Sequence, residues 1–145
     1  MTDEQATPDQ DHTVQPVVDV GGDDMLMFLA SFAQDTAGTE IGMTVSVGGT
    51  VVSGNVIGRN AWLDLIAEQG NRQGGNGGTF LASLAEVYKR PTRDDDDDTP
   101  QRFGFLHFKD AAILMGPTMS PRGMLWRVRI EEVTAWTFSV ISATS

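Results

Sequence analysis

Gly48-Gly49 stands between two runs rich in β-forming residues, Glu40 to Val47 and Thr50 to Ile57, and it restricts the fold more tightly than any other stretch. A two-residue chain reversal needs positive φ, which glycine adopts at little steric cost. With these two residues at the tip the register follows: Val47 faces Thr50, Val45 faces Val52, Met43 faces Gly54 and Ile41 faces Val56. Side chains alternate along a strand, so these eight share one face, and Gly42, Thr44, Ser46, Val51, Ser53 and Asn55 share the other. The first face is apolar and the second is expected to be largely solvated. A lone two-stranded ribbon is marginal in water, so the remaining chain must supply further strands and a helix to cover it.

The length of 145 residues and an apolar content of 40% allow one domain with a genuine core. Cysteine is absent, which removes disulfides, zinc-thiolate sites and a catalytic thiol. No apolar run approaches the roughly 20 residues of a spanning helix, and the acidic start lacks the basic region of a signal peptide. These features lead us to expect a cytoplasmic protein without membrane association.

The net charge of −10 is unevenly spread. Residues 1–24 hold Asp3, Glu4, Asp9, Asp11, Asp19, Asp23 and Asp24 and no base, and Asp94 to Asp98 form a second acidic run. Everything else carries 8 acids against 10 bases. Acidic segments oppose binding to phosphates, so nucleic acid is not an expected partner.

Residues 1–22 have too little apolar surface to offset ordering and are expected to form a disordered acidic tail ahead of a single domain, 23–145. Asp23 and Asp24 can cap and charge a helix carrying Met25, Leu26, Leu29, Phe32 and Ala33, ended by Gly38 and placed over the hairpin. A second helix is expected over Ala61 to Gln69, capped by Asn60, with Trp62, Leu63 and Ile66 inward. The glycine-rich stretch 70–78 reads as a flexible linker. Phe80, Leu81, Leu84, Val87 and Tyr88 recur at helical spacing before Pro91, and 91–101 reads as a solvated acidic loop. Strands are expected over Phe103 to Met115, over Met124 to Glu131 and around Trp136 to Val140, with a turn or bulge near Glu131 to Thr134. The result is an α+β domain: a bent antiparallel sheet of about five strands, barrel-like if its edges meet, covered by two or three helices.

Little here resembles catalytic machinery. His12 lies in the tail and His107 in an aromatic strand, where a structural histidine is the better reading. Nucleophile elbow, phosphate loop and His-Glu-x-x-His patterns are absent. Asp94 to Asp98 lacks the glycine and distal glutamate of a calcium loop. We therefore expect no catalytic residue, no cofactor and no metal. Arg127 and Arg129 fall on the polar face of their strand and, with Lys109, form a candidate basic patch for an acidic partner; pairing with neighbours such as Glu131 is the competing use of such residues.

Three stretches together resemble the gas vesicle protein GvpU family. They are Ile41 to Gly49 with Val51 to Gly54, then Phe105-Leu106-His107-Phe108-Lys109-Asp110-Ala111, then Arg122 to Ile130 with Val133. The resemblance spans roughly Asp24 to Ser142, and it is the order and spacing of these stretches that carry it. It implies a non-enzymatic accessory role in gas vesicle formation or in how finished vesicles cluster. The implied partners are shell proteins or other accessory proteins, with self-association as a further route. The hairpin also resembles the first half of an Sm-like fold, which makes an RNA-binding module the alternative; the acidic charge weighs against it. A small metal-dependent hydrolase would need acids gathered around His107, and most acids fall in the tail and the loop.

Overall fold

In the computed structural model, which describes residues 23–89 and 104–142, the hairpin takes the register read from its sequence. Strands β1 (Ile41–Val47) and β2 (Thr50–Ile57) pair antiparallel, with Val47 opposite Thr50, Val45 opposite Val52 and Ile41 opposite Val56. Gly48 and Gly49 turn the chain at φ 55° and 83°, the left-handed region that side chains with a Cβ resist.

Helix α1 (Asp24–Asp35) precedes the hairpin, and α2 (Arg59–Gln73) and α3 (Gly75–Tyr88) follow it. Then come β3 (Phe105–Met115), β4 (Thr118–Met119), β5 (Met124–Arg129), a single 3-10 turn (Ile130–Glu132) and β6 (Val133–Thr137). The sheet runs β4-β3-β2-β1-β6, with β5 also pairing with β3. It is antiparallel and has six strands rather than about five, because the short β4 forms where a plain loop was expected. The sheet stays open. Strand β6 lies at one edge and β4 and β5 at the other, so barrel closure does not occur. Register shifts at Ser46/Val47, Ser53/Asn55 and Phe108/Ala111 bend the sheet, as bulges do.

The core lies between the apolar face of the sheet and α1. Met43, Val45, Val52, Val56, Leu106, Phe108 and Ala111 of the sheet are buried together with Leu26, Leu29 and Ala30 of α1. Asp23 starts α1 as predicted: its Oδ1 accepts from the Met25 N–H at 2.8 Å and from the Leu26 N–H at 3.4 Å. Its Oδ2 accepts from Trp136 Nε1–H at 2.9 Å, tying the helix start to β6. The buried stripe of α1 is Leu26, Leu29, Ala30 and Ala33. Phe32 and Met25, expected to face inward, are exposed, because that four-residue stripe already fills the inward face. The helix also stops at Asp35 with Thr36 as cap, before Gly38.

Two further expectations are corrected. The polar face of the hairpin is not wet at its centre: Thr44 and Ser53 are buried. The C-terminal segment crosses them. The Thr44 hydroxyl donates to the Ser139 carbonyl at 2.6 Å, and the Ile141 N–H donates to Ser53 Oγ at 2.8 Å. Arg122 donates to the carbonyls of Ser53 and Ile141 and so straps the segment down. The glycine-rich stretch 70–78 is not a linker. Helix α2 continues to Gln73 and α3 begins at Gly75, with only Gly74 (φ 72°) between them. Gly70 and Gly78 are buried where the helices touch, and a Cβ on Gly70 would sit 2.6 Å from the Gly78 carbonyl oxygen. Their lack of side chains lets two helix backbones approach. Helix α2 starts at Arg59 with Gly58 as cap, ahead of the expected Asn60. The acidic tail 1–22 and the loop 91–101 lie outside the described residues.

Candidate functional site

The three cations picked out in the sequence sit on β3 (Lys109) and β5 (Arg127 and Arg129), and each is held by a neighbour. Lys109 Nζ lies 2.6 Å from Glu40 Oε2. Arg129 lies 2.7 Å from Glu131 and both side chains are largely exposed. Arg127 stacks its guanidinium over the Phe105 ring at 3.8 Å, a cation–π contact. Arg127 and Arg129 project from the same face of β5, as the alternation required. Lys109 borders a different hollow, with Ala33 and Asp64, from the one Arg127 borders, although Gln34 and Ile57 line both.

His107 is buried and packs against Trp62 with ring centroids 5.1 Å apart. Trp62 also donates from Nε1 to the Phe108 carbonyl at 3.2 Å, so this pair anchors α2 to β3. The hollow beside His107 holds about 120 Å³, and the described residues that line it, Gln34, Ile57, Arg59, Phe105 and Arg127 among them, include no carboxylate. Among the described residues no group of three His, Asp or Glu is placed to hold a metal ion, and no helix is long and apolar enough to cross a membrane.

What the structure exposes instead is apolar. Phe28 is 74% exposed and Met25 61% exposed, and with Phe32 they follow one another along the outward face of α1. Together with Ile41 and Phe138 they line an open groove of about 380 Å³. Acids stand at both ends of this face, Asp23 and Asp24 at the start and Asp35 at the end, and α1 carries no base. The Trp136 hydrogen bond, aided by the N–H groups of Met25 and Leu26 against partial desolvation, holds the Asp23 carboxyl below its ordinary range. The groove therefore keeps a fixed negative charge at the helix start.

Sequence reasoning missed this surface. The signal was a surplus: Met25, Leu26, Met27, Phe28, Leu29 and Phe32 are more apolar residues than one buried stripe of a short helix requires. A family model described as "Gas vesicle protein GvpU-like" matches residues 23–141, which include every helix and strand described above. No curated protein and no solved structure matches the chain.

Proposed function

The chain belongs to the GvpU-like family of gas vesicle proteins, and from that membership we propose that it works as a non-enzymatic interaction module in gas vesicle formation or clustering. The observation that carries this reading is the groove along α1. Aromatic and thioether side chains held in water on a folded helix are costly unless something covers them, and such patches mark binding surfaces. The occupant we assign is an apolar segment of a gas vesicle shell or accessory protein, flanked by basic residues that answer Asp23, Asp24 and Asp35. A vesicle presents many copies of its proteins, so modest single contacts add to strong attachment once several copies of the module engage. Arg127, Arg129 and Lys109 form a second contact set in this proposal, acting on acidic groups of the same particle.

Co-flotation with purified gas vesicles tests the reading. Phe28→Ser should lower the bound fraction about tenfold, the effect of withdrawing a well-buried aromatic anchor. Reversing Arg127 and Arg129 to glutamate should weaken it by a few fold, and added salt should weaken the wild type similarly. Unchanged flotation of the Phe28 variant would remove the groove from the mechanism. Tight RNA binding without any vesicle binding would replace this reading by the Sm-like alternative.

A further inference from the structure

The segment after β6, residues 138–142, touches both faces of the sheet. Phe138 reaches the α1 side, where it lines the groove with Phe28 and Ile41 and sets its ring edge-on to Trp136, with 5.0 Å between centroids. Val140 and Ile141 lie over the opposite, polar face, where side chains grip the backbone. The Thr44 hydroxyl has one proton, which the Ser139 carbonyl takes at 2.6 Å, so in the 2.9 Å contact between the two hydroxyls Ser53 is the donor. Ser53 in turn accepts from the Ile141 N–H at 2.8 Å. The Ile141 N–H, Ser53, Thr44 and the Ser139 carbonyl thus form one directed chain whose members polarise one another. Arg122, anchored on the Ser53 and Asp110 carbonyls at 3.2 and 3.3 Å, adds a bond to the Ile141 carbonyl. Gly42 leaves the room, since a Cβ there would sit 2.9 Å from Val140 Cγ2.

The grip is polar, and apolar burial adds little to it. Phe138 is 57% exposed, Val140 37% and Ile141 36%, so lifting the segment exchanges few apolar contacts for water, and the Thr44 and Ser53 hydroxyls find water in its place. Segments held by so few buried apolar contacts open at the low end of a protein's stability scale. We infer that this segment is a hinged wall of the α1 groove, held closed by Thr44, Ser53 and Arg122 from the far side of the sheet. Closed, it stands Phe138 beside Ile41 as one side of the groove; open, the groove loses that side. The three gripping residues do not line the groove themselves, so they are positioning residues that act through Phe138. The inference rests on the reading of the groove as the docking site for a vesicle protein and adds its regulation. Affinity for the partner scales with the closed fraction, and by linkage a partner seated against Phe138 holds the segment closed.

Co-flotation of the full chain with purified gas vesicles, combined with hydrogen exchange at the Ile141 amide, tests this. Phe138→Ala should lower vesicle affinity about fivefold, less than the loss of the Phe28 anchor. Thr44→Val and Arg122→Gln, each checked for an intact fold by circular dichroism, should speed exchange at Ile141 and lower affinity by several fold. Neither should lower it further once Phe138 is alanine, because both act through that ring. Thr44→Ser, which keeps the hydroxyl, should bind as the wild type does. Vesicle binding should slow Ile141 exchange in the wild type and not in Phe138→Ala. Faster exchange in Thr44→Val and Arg122→Gln with unchanged flotation, additive losses in the double variants, or Ile141 exchange indifferent to vesicles would each overturn the inference; with Phe28→Ser still defective, the groove reading would stand. Flotation insensitive to Phe28→Ser would overturn both.

Discussion

The molecule contains two hairpins built on glycine, and they use it for opposite reasons. In the β1–β2 hairpin, Gly48 and Gly49 supply positive φ at the tip, and a Cβ on either would meet nothing within 4 Å. In the α2–α3 hairpin, the decisive glycines are Gly70 and Gly78, away from the tip, where a Cβ would strike the facing backbone. One pair relieves torsional strain in open solvent; the other removes volume from a helix crossing. A glycine's identity therefore does not say which service it performs. Its flanks do. Alternating β-formers on both sides of Gly48-Gly49 point to a turn, whereas Gly70 and Gly78 are separated by polar residues whose helical state comes from packing.

Substitutions should separate these roles. The largest loss is expected in the core beneath α1: Val45 is fully buried opposite Val52, so Val45→Asp should cost about 4 kcal/mol through an unpaired buried charge, measured by urea unfolding. Gly78→Val comes next. It forces α2 and α3 apart and should cost about 2–3 kcal/mol in the same assay, with loss of helical ellipticity. Gly49→Ala meets no steric obstacle and should cost only about 1 kcal/mol, the strain of a Cβ at positive φ. If Gly49→Ala proved worse than Gly78→Val, the assignment of torsional and steric roles would be reversed.

The smallest effect concerns the tie between α1 and β6. Because the folded Asp23 carboxyl sits below its ordinary value of 3.8, its contribution is fully present above that value and is lost as pH falls through the lower folded value. Thermal midpoints of the wild type and Asp23→Ala should therefore differ at neutral pH and converge well below pH 3.8. A gap of constant size across that range would mean that the ionised carboxylate is not what the cap and Trp136 hold.

Much of this architecture was legible before any coordinates. The β1–β2 register, the Asp23 cap, α1 as the cover of the apolar face and the strands at Phe105 and Met124 all rest on local patterns strong enough to fix themselves. The errors share a cause in long-range contact. Thr44 and Ser53 are buried by residues near the chain's other end, and nothing around them in sequence announces that cover. Likewise, 70–78 is helical because two helices find each other there, against the intrinsic preference of glycine. At the surface, the basic residues were identified by charge, yet each is engaged by Glu40, Glu131 or Phe105. The groove on α1 went unseen because an apolar residue in a helix is assumed to point inward.

The pairing of β6 with β1 also bears on how the protein is made. When the β1–β2 hairpin leaves the ribosome, one edge of β1 has no partner, and the Ser139 carbonyl that will accept from the Thr44 hydroxyl lies 95 residues downstream. At translation rates of roughly 5–20 residues per second, that edge waits on the order of 5–20 seconds. Through this interval the nascent chain carries an unpaired β edge beside an apolar face, the combination that invites pairing with another chain. Early docking of α1, which precedes the hairpin and is already synthesised, shields the face but not the edge. Holdase chaperones acting in that window should raise the yield of folded protein more than those supplied after release.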